Sequence, residues 1–154
     1  MAFDPIFSFV SALALAVLSA LVSVQLALRR FRAERWWERK AEAYSALLIA
    51  LFDVQRSLDY EIRRIEEGAQ LSESYLKDLK DRSRAGYTEI RKAGVIGTFL
   101  FGAEAATRIN QLVDSLDTPK HGLDFYEEVG EDFDAVRSAL VDLKQIAKRD
   151  LAVR

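Results

Sequence analysis

The chain has 154 residues, half of them hydrophobic, with a net charge of −2 and no cysteine. That length leaves room for one domain with one hydrophobic core. The acidic balance argues against nonspecific nucleic-acid binding, which needs a broad positive surface. Without thiols there is neither a disulfide framework nor a thiolate metal site.

The charge is unevenly placed. Residues 29–40 carry six basic and two acidic groups, whereas residues 41–154 carry 16 basic and 21 acidic ones. Just before the basic block lies Ile6–Leu28, 23 residues with no charge and no proline. An apolar run of about 20 residues crosses the roughly 30 Å hydrocarbon core of a bilayer as a helix. A basic cluster directly after it marks the cytoplasmic side. The segment is therefore expected to be an uncleaved anchor with its N-terminus outside. A signal peptide is disfavoured, because its n-region would be basic and this one holds only Asp4. The expected location is the bacterial inner membrane, with a single pass and about 115 residues in the cytoplasm.

Within the anchor, Ser8, Ala12, Ala16 and Ala20 recur every four residues, with Ser19 and Ser23 near the same face. Small residues let membrane helices approach closely, so this stripe is a candidate self-association face. In a cluster of copies, its serines and Gln25 would line a narrow polar channel. Arg29, Arg30, Arg32 and Arg35, with Trp36 and Trp37, are candidate lipid-headgroup contacts. Each basic group near an anionic leaflet contributes on the order of 1 kcal/mol, and amphipathic indoles favour the interface.

From Ile6 to Glu67 there is no Gly or Pro, so the anchor is expected to continue as helix into the cytoplasm. Beyond the basic block, Trp37, Ala41, Tyr44, Leu48, Leu51, Gln55, Leu58, Ile62 and Ile65 follow alternating steps of four and three. That spacing predicts a buried seam through Tyr44, Leu48, Leu51, Gln55 and Leu58. Leu47, Phe52 and Val54 widen the apolar face. Gln55 is a polar exception of the kind that fixes register.

Gly68 ends this helix, and Ser72 or Ser74 caps the next, expected to run to about Ala93. The stretch from Gly94 to Gly102 holds three glycines around a compact apolar run, and is read as a buried bend or a short strand. A third helix spans about Ala103 to Leu116, and Asp117–Gly122 is a loop by composition. The fourth helix spans about Asp124 to Leu151, with Val129, Phe133, Val136, Leu140, Leu143 and Ala147 on one face. Its acidic start and basic end suit the helix dipole. The fold class is all-α: a transmembrane helix that continues into an antiparallel bundle of about four helices. The expected domains are 1–28, a basic stem 29–40, and a bundle 41–154.

No phosphate loop, dinucleotide fingerprint, metalloprotease helix or serine elbow occurs. His121 is the sole histidine and has no second imidazole or thiolate to work with. The acidic cluster from Asp124 to Asp134 reads as a solvated helix start. No catalytic, metal or cofactor residues are assigned, and an enzyme is not expected. Lys77, Lys80, Arg84 and Arg91 form a basic row at helical spacing that, in an oligomer, suits a small anionic ligand such as a nucleotide. The plainer reading is a solvated face balanced by Asp78, Asp81 and Glu89.

The stretch Arg35–Leu48 resembles a segment of bacterial proteins built from one N-terminal anchor and a small helical body. The tail Val141–Leu151 is similar to theirs too, and together the two segments cover about a sixth of the 154-residue chain. The resemblance implies a bacterial origin and the same architecture, and no activity or site residues. The function expected is a non-enzymatic, membrane-anchored module that contacts lipid, forms a homo-oligomer and binds a protein partner. The alternative is a membrane-perturbing effector, of an anti-phage or toxin type, whose bundle senses a signal.

Overall fold

The computed structural model describes the backbone of residues 4–152 and the side chains of residues 18–152. The described residues form four α-helices and no strand. They divide into two compact units, Met1–Glu38 and Arg39–Arg154, a boundary inside the stem predicted for residues 29–40.

Helix α1, Asp4–Glu67, is unbroken over 64 residues, as a sequence without internal Gly or Pro allows. It stops where Gly68 takes a positive φ of 67°, the left-handed conformation glycine adopts without Cβ strain. The Ala69 N–H then reaches back to the Arg63 carbonyl at 3.5 Å. Helix α2, Glu73–Leu100, follows.

The predicted break at Gly94 does not occur. α2 runs through it to Leu100, with Gly97 buried and with Val95 and Phe99 among the most exposed large hydrophobic residues. The glycines serve contact with the next helix instead of a bend. A Cβ on Gly94 would meet Val113 Cγ2 at 3.2 Å, and one on Gly97 would lie 3.9 Å from Ala106. The chain turns at Phe101–Gly102 into α3, Ala103–Asp117, and after a loop enters α4, Phe125–Ala152. Asp124 and Glu127 close a capping box at the start of α4. The Glu127 N–H donates to Asp124 Oδ1 at 2.8 Å, and the Asp124 N–H donates to Glu127 Oε2 at 3.2 Å.

Each helix of the Arg39–Arg154 unit runs antiparallel to its neighbours. Arg91 of α2 bonds Asp117 of α3, while Glu104 and Arg108 of α3 bond Arg149 and Asp142 of α4. Tyr44 and Glu66 of α1 bond Asp150 and Tyr126 of α4. Gly86 of α2 abuts the Ala50 carbonyl of α1. The result is an up-down-up-down four-helix bundle, closed around Leu51, Val54, Ile90, Ile109, Val136 and Leu143, all fully buried. The predicted α4 face lies in or against this core. Two positions assigned to the buried face of α1 are exposed instead, Phe52 at 53% and Ile65 at 42%. At 3.6 residues per turn, the arc centred on Leu47, Leu51 and Leu58 leaves Phe52 beyond its edge.

Among the described residues no helix is long and apolar enough to cross a membrane. Much of the predicted span, including Ser8, Ala12 and Ala16, lies outside the described side chains.

Candidate functional site

The most concentrated polar arrangement sits where α1, α4 and the α2–α3 turn meet. Asp150 Oδ2 accepts three hydrogen bonds, from the Tyr44 hydroxyl at 2.7 Å, Lys40 Nζ at 2.9 Å and the Gly102 N–H at 3.3 Å. The Tyr44 ring lies 4.8 Å from that of Phe101, tilted by 56°, in the range where aromatic edges and faces attract. Gly102 admits the carboxylate, since a Cβ there would stand 2.8 Å from Asp150 Oδ2.

The electrostatics follow from these contacts. Burial works to raise the Asp150 carboxyl, but the bonds from Tyr44 and Lys40 outweigh it and hold the group below the ordinary 3.8. Burial and the Asp150 charge push the Tyr44 phenol far above its ordinary 10. An ionised Asp150 facing a protonated Tyr44 is thus the resting state. Each of these bonds crosses from one segment to another, so the cluster joins α1, α4 and the α2–α3 turn. Sequence reasoning placed Tyr44 in the seam without its hydroxyl partner. The signal lay in pairing a seam tyrosine with an acid in the last turn of α4, a pairing that needs the bundle's topology.

A shallow cleft of about 530 Å³ lies between α3 and α4, lined by Glu104, Thr107, Arg108, Gln111, Asp142, Gln145 and Arg149. Its charges are satisfied across the two helices. Arg108 donates to Asp142 at 2.8 Å and to Ser138 at 3.0 Å, and Arg149 donates to Glu104 at 2.6 Å. A ligand would have to displace these pairs. No group of acidic or histidine side chains among the described residues is arranged to hold a metal ion.

The predicted residues distribute as follows. In the seam, Tyr44, Leu51 and Leu58 are buried, whereas Leu48 and Gln55 are half-buried at its margin. The basic row Lys77, Lys80, Arg84 and Arg91 is exposed along α2. Arg84 pairs with Asp81, Arg82 with Asp78, and Arg91 with Asp117, whose hydrogen bond raises the guanidinium's pKa further. In the Met1–Glu38 unit, Ser19, Ala20 and Ser23 are exposed, and the Ser23 hydroxyl donates to the Ser19 carbonyl at 2.8 Å. Arg29, Arg30, Arg32, Arg35 and Trp36 are exposed and Trp37 is half-buried. The Arg35 guanidinium lies 5.4 Å from the centroid of the Phe31 ring. No protein family, characterised protein or solved structure was found to match the chain.

Proposed function

We propose that this chain is a non-enzymatic interaction module of the bacterial inner membrane. Its N-terminal helix serves as anchor and self-association segment, and its bundle holds a protein partner. One observation carries this reading. In the Met1–Glu38 unit, Leu18, Leu21, Val22, Val24, Leu26 and Leu28 are each 48–59% exposed, over a broad arc of α1 whose remaining side carries the small residues Ser19, Ala20, Ser23 and Ala27. A helix with so broad an exposed apolar arc and no charge on any side is stable only when covered, by lipid or by other helices. The sequence extends the same character back to Ile6, which makes a bilayer the natural cover, with the basic residues from Arg29 to Lys40 at its cytoplasmic edge. In the bundle, hydrogen bonds and ion pairs within the fold occupy the Asp150 cluster and the α3–α4 cleft. That supports a role in holding surfaces together over one in chemistry.

The test is to express the full chain in bacteria, wash the membranes with alkaline carbonate, and weigh the protein in nanodiscs. Retention in the pellet and a mass above one copy per disc are expected. Release by carbonate would overturn the anchor, and a strictly single copy would overturn self-association.

A further inference from the structure

We infer that the outer groove between α1 and α4 is a docking surface for an acidic amphipathic helix of a partner protein. The inference rests on the bundle being an interaction module, and it names the chemistry of what the module holds.

The two helices set the register of this groove. The Tyr44–Asp150 bond joins them at one end. Phe52 lies eight residues after Tyr44 and Val141 nine before Asp150, so each is about 12–14 Å along its helix from that bond. Phe52 and Val141 therefore lie at the same height on adjacent helices, and Ile49 is one turn from Phe52. All three are exposed, at 53%, 53% and 59% respectively.

The charge beside them is one-sided. On α4, Ser138, Asp142 and Arg149 point to α3, which their bonds to Arg108 and Glu104 establish. The opposite edge of the helix, toward α1, carries Arg137, Val141, Lys144 and Lys148 in steps of four, three and four. Arg137, Lys144 and Lys148 are exposed, and none forms an ion pair among the described residues. Elsewhere on the bundle, exposed Arg and Lys commonly pair with acids, as Arg63, Arg82 and Lys92 do. Two acids interrupt this one-sided charge, Asp134 one turn before Arg137 and Asp59 two turns after Phe52 on α1, the latter paired with Arg63.

Apolar residues in a row flanked by free cations, spread over about three helical turns, fit the helix-in-groove mode of recognition. The occupant's charge follows from complementarity, because a helix bearing Glu or Asp beside its apolar stripe would pair with Arg137, Lys144 and Lys148. A second copy of this chain is the poorer fit, since two-fold pairing through this face would set the same three cations against each other.

The experiment uses the full chain in nanodiscs of neutral phosphatidylcholine. The probe is a fluorescent helical peptide of about 18 residues, five turns, with leucines on one stripe and glutamates flanking them. A second peptide carries lysine at every glutamate. The glutamate peptide is expected to bind at least tenfold tighter than the lysine peptide. F52D, and separately the pair K144E and K148E, should each weaken it by tenfold or more with the bundle's melting transition retained. Equal affinity for both peptides, no binding of either, or binding indifferent to these variants would overturn the inference. So would neglect of the peptide alongside capture of empty phosphatidylserine nanodiscs that K144E and K148E abolish, which would assign the groove to lipid. A chain that stays membrane-bound and assembled yet ignores the peptide overturns this inference alone. Loss of membrane retention and assembly is the separate failure of the module reading.

Discussion

Tyr44 and Asp150 are 106 positions apart in the chain and 2.7 Å apart in space, phenol donating to carboxylate. Their bond ties the first helix of the bundle to the last turns of the fourth, and Lys40 and the Gly102 N–H converge on the same oxygen. Removing the acceptor leaves three donors facing a half-buried site. Asp150→Ala is therefore expected to cost about 2–3 kcal/mol, the range for hydrogen bonds to a charged group plus the donors left unpaired. Tyr44→Phe keeps the ring contact with Phe101 and removes one donor of three, so about 1 kcal/mol is expected. Urea unfolding of both variants beside the parent checks the ranking. Equal losses would show that the hydroxyl alone carries the junction.

The same carboxylate gives stability an acid limb. Its pKa in the fold lies below the ordinary 3.8 because the bonds from Tyr44 and Lys40 outweigh burial. The contribution is thus complete above that value and lost as pH falls through the lower folded one. The stability gap between the parent and Asp150→Asn should be constant over about pH 5–7 and shrink below pH 4. A gap unchanged down to pH 3 would mean that the Asp150 charge adds nothing.

At the alkaline end the sign reverses. Burial raises the Tyr87 phenol to about 12, and burial with the Asp150 charge raises Tyr44 further, both from an ordinary 10. The fold binds these two protons more tightly than the unfolded chain does, so stability is kept below pH 10 and declines as pH rises beyond it. Ultraviolet titration of the folded protein should show phenols that ionise above the ordinary 10. Tyr44→Phe and Tyr87→Phe should each remove a late-titrating group.

Much of this architecture was legible in the sequence. The absence of Gly and Pro from Ile6 to Glu67, Gly68 at a helix end, and the α4 face from Val129 to Ala147 all act within a turn or two of helix, where pattern and geometry coincide. The failures have a common cause. The glycines of Gly94–Gly102 read as a break because their local effect is to weaken helix, yet Gly94 and Gly97 lie against Val113 and Ala106 and tertiary contact overrides propensity. Phe52 read as core because it is apolar and near the seam, whereas burial depends on where the neighbouring helices sit. The Asp150 cluster and the Arg137–Lys148 edge were out of reach for the same reason. Each depends on α1 and α4 being antiparallel neighbours, and no spacing within either helix records that.

The seam itself can be graded residue by residue. Leu51 is fully buried and Leu48 half-buried. Leu51→Ala should cost about 3 kcal/mol, inside the range for a core leucine whose cavity cannot fully collapse. Leu48→Ala should cost about half of that, since part of its surface already meets water. Phe52→Ala, larger in volume but exposed, should lie within about 0.5 kcal/mol of the parent, as surface changes do. A thermal or urea series over the three orders them, and a Phe52→Ala loss as large as that of Leu51→Ala would reassign Phe52 to the core of the fold.

Two helical glycines offer a sharper comparison, because one substitution should act with opposite sign at the two places. Gly130 lies inside α4 with nothing within 4 Å of a built Cβ, so Gly130→Ala gains the helix propensity of alanine, about 1 kcal/mol, with no steric cost. Gly86 lies inside α2 where it crosses α1. A Cβ there would stand 2.8 Å from the Ala50 carbonyl oxygen and 2.9 Å from Val54 Cγ2. The oxygen belongs to a helix backbone and the Val54 side chain is fully buried, so neither can yield without moving α1 away from α2. Overpacking a close contact costs about 1–3 kcal/mol, which exceeds the propensity gain of about 1 kcal/mol. Gly86→Ala should therefore destabilise the bundle by up to about 2 kcal/mol while Gly130→Ala stabilises it. Circular-dichroism melts of the two variants decide it. A Gly86→Ala protein that melts above the parent would mean that α1 and α2 are further apart than the Gly86–Ala50 contact requires.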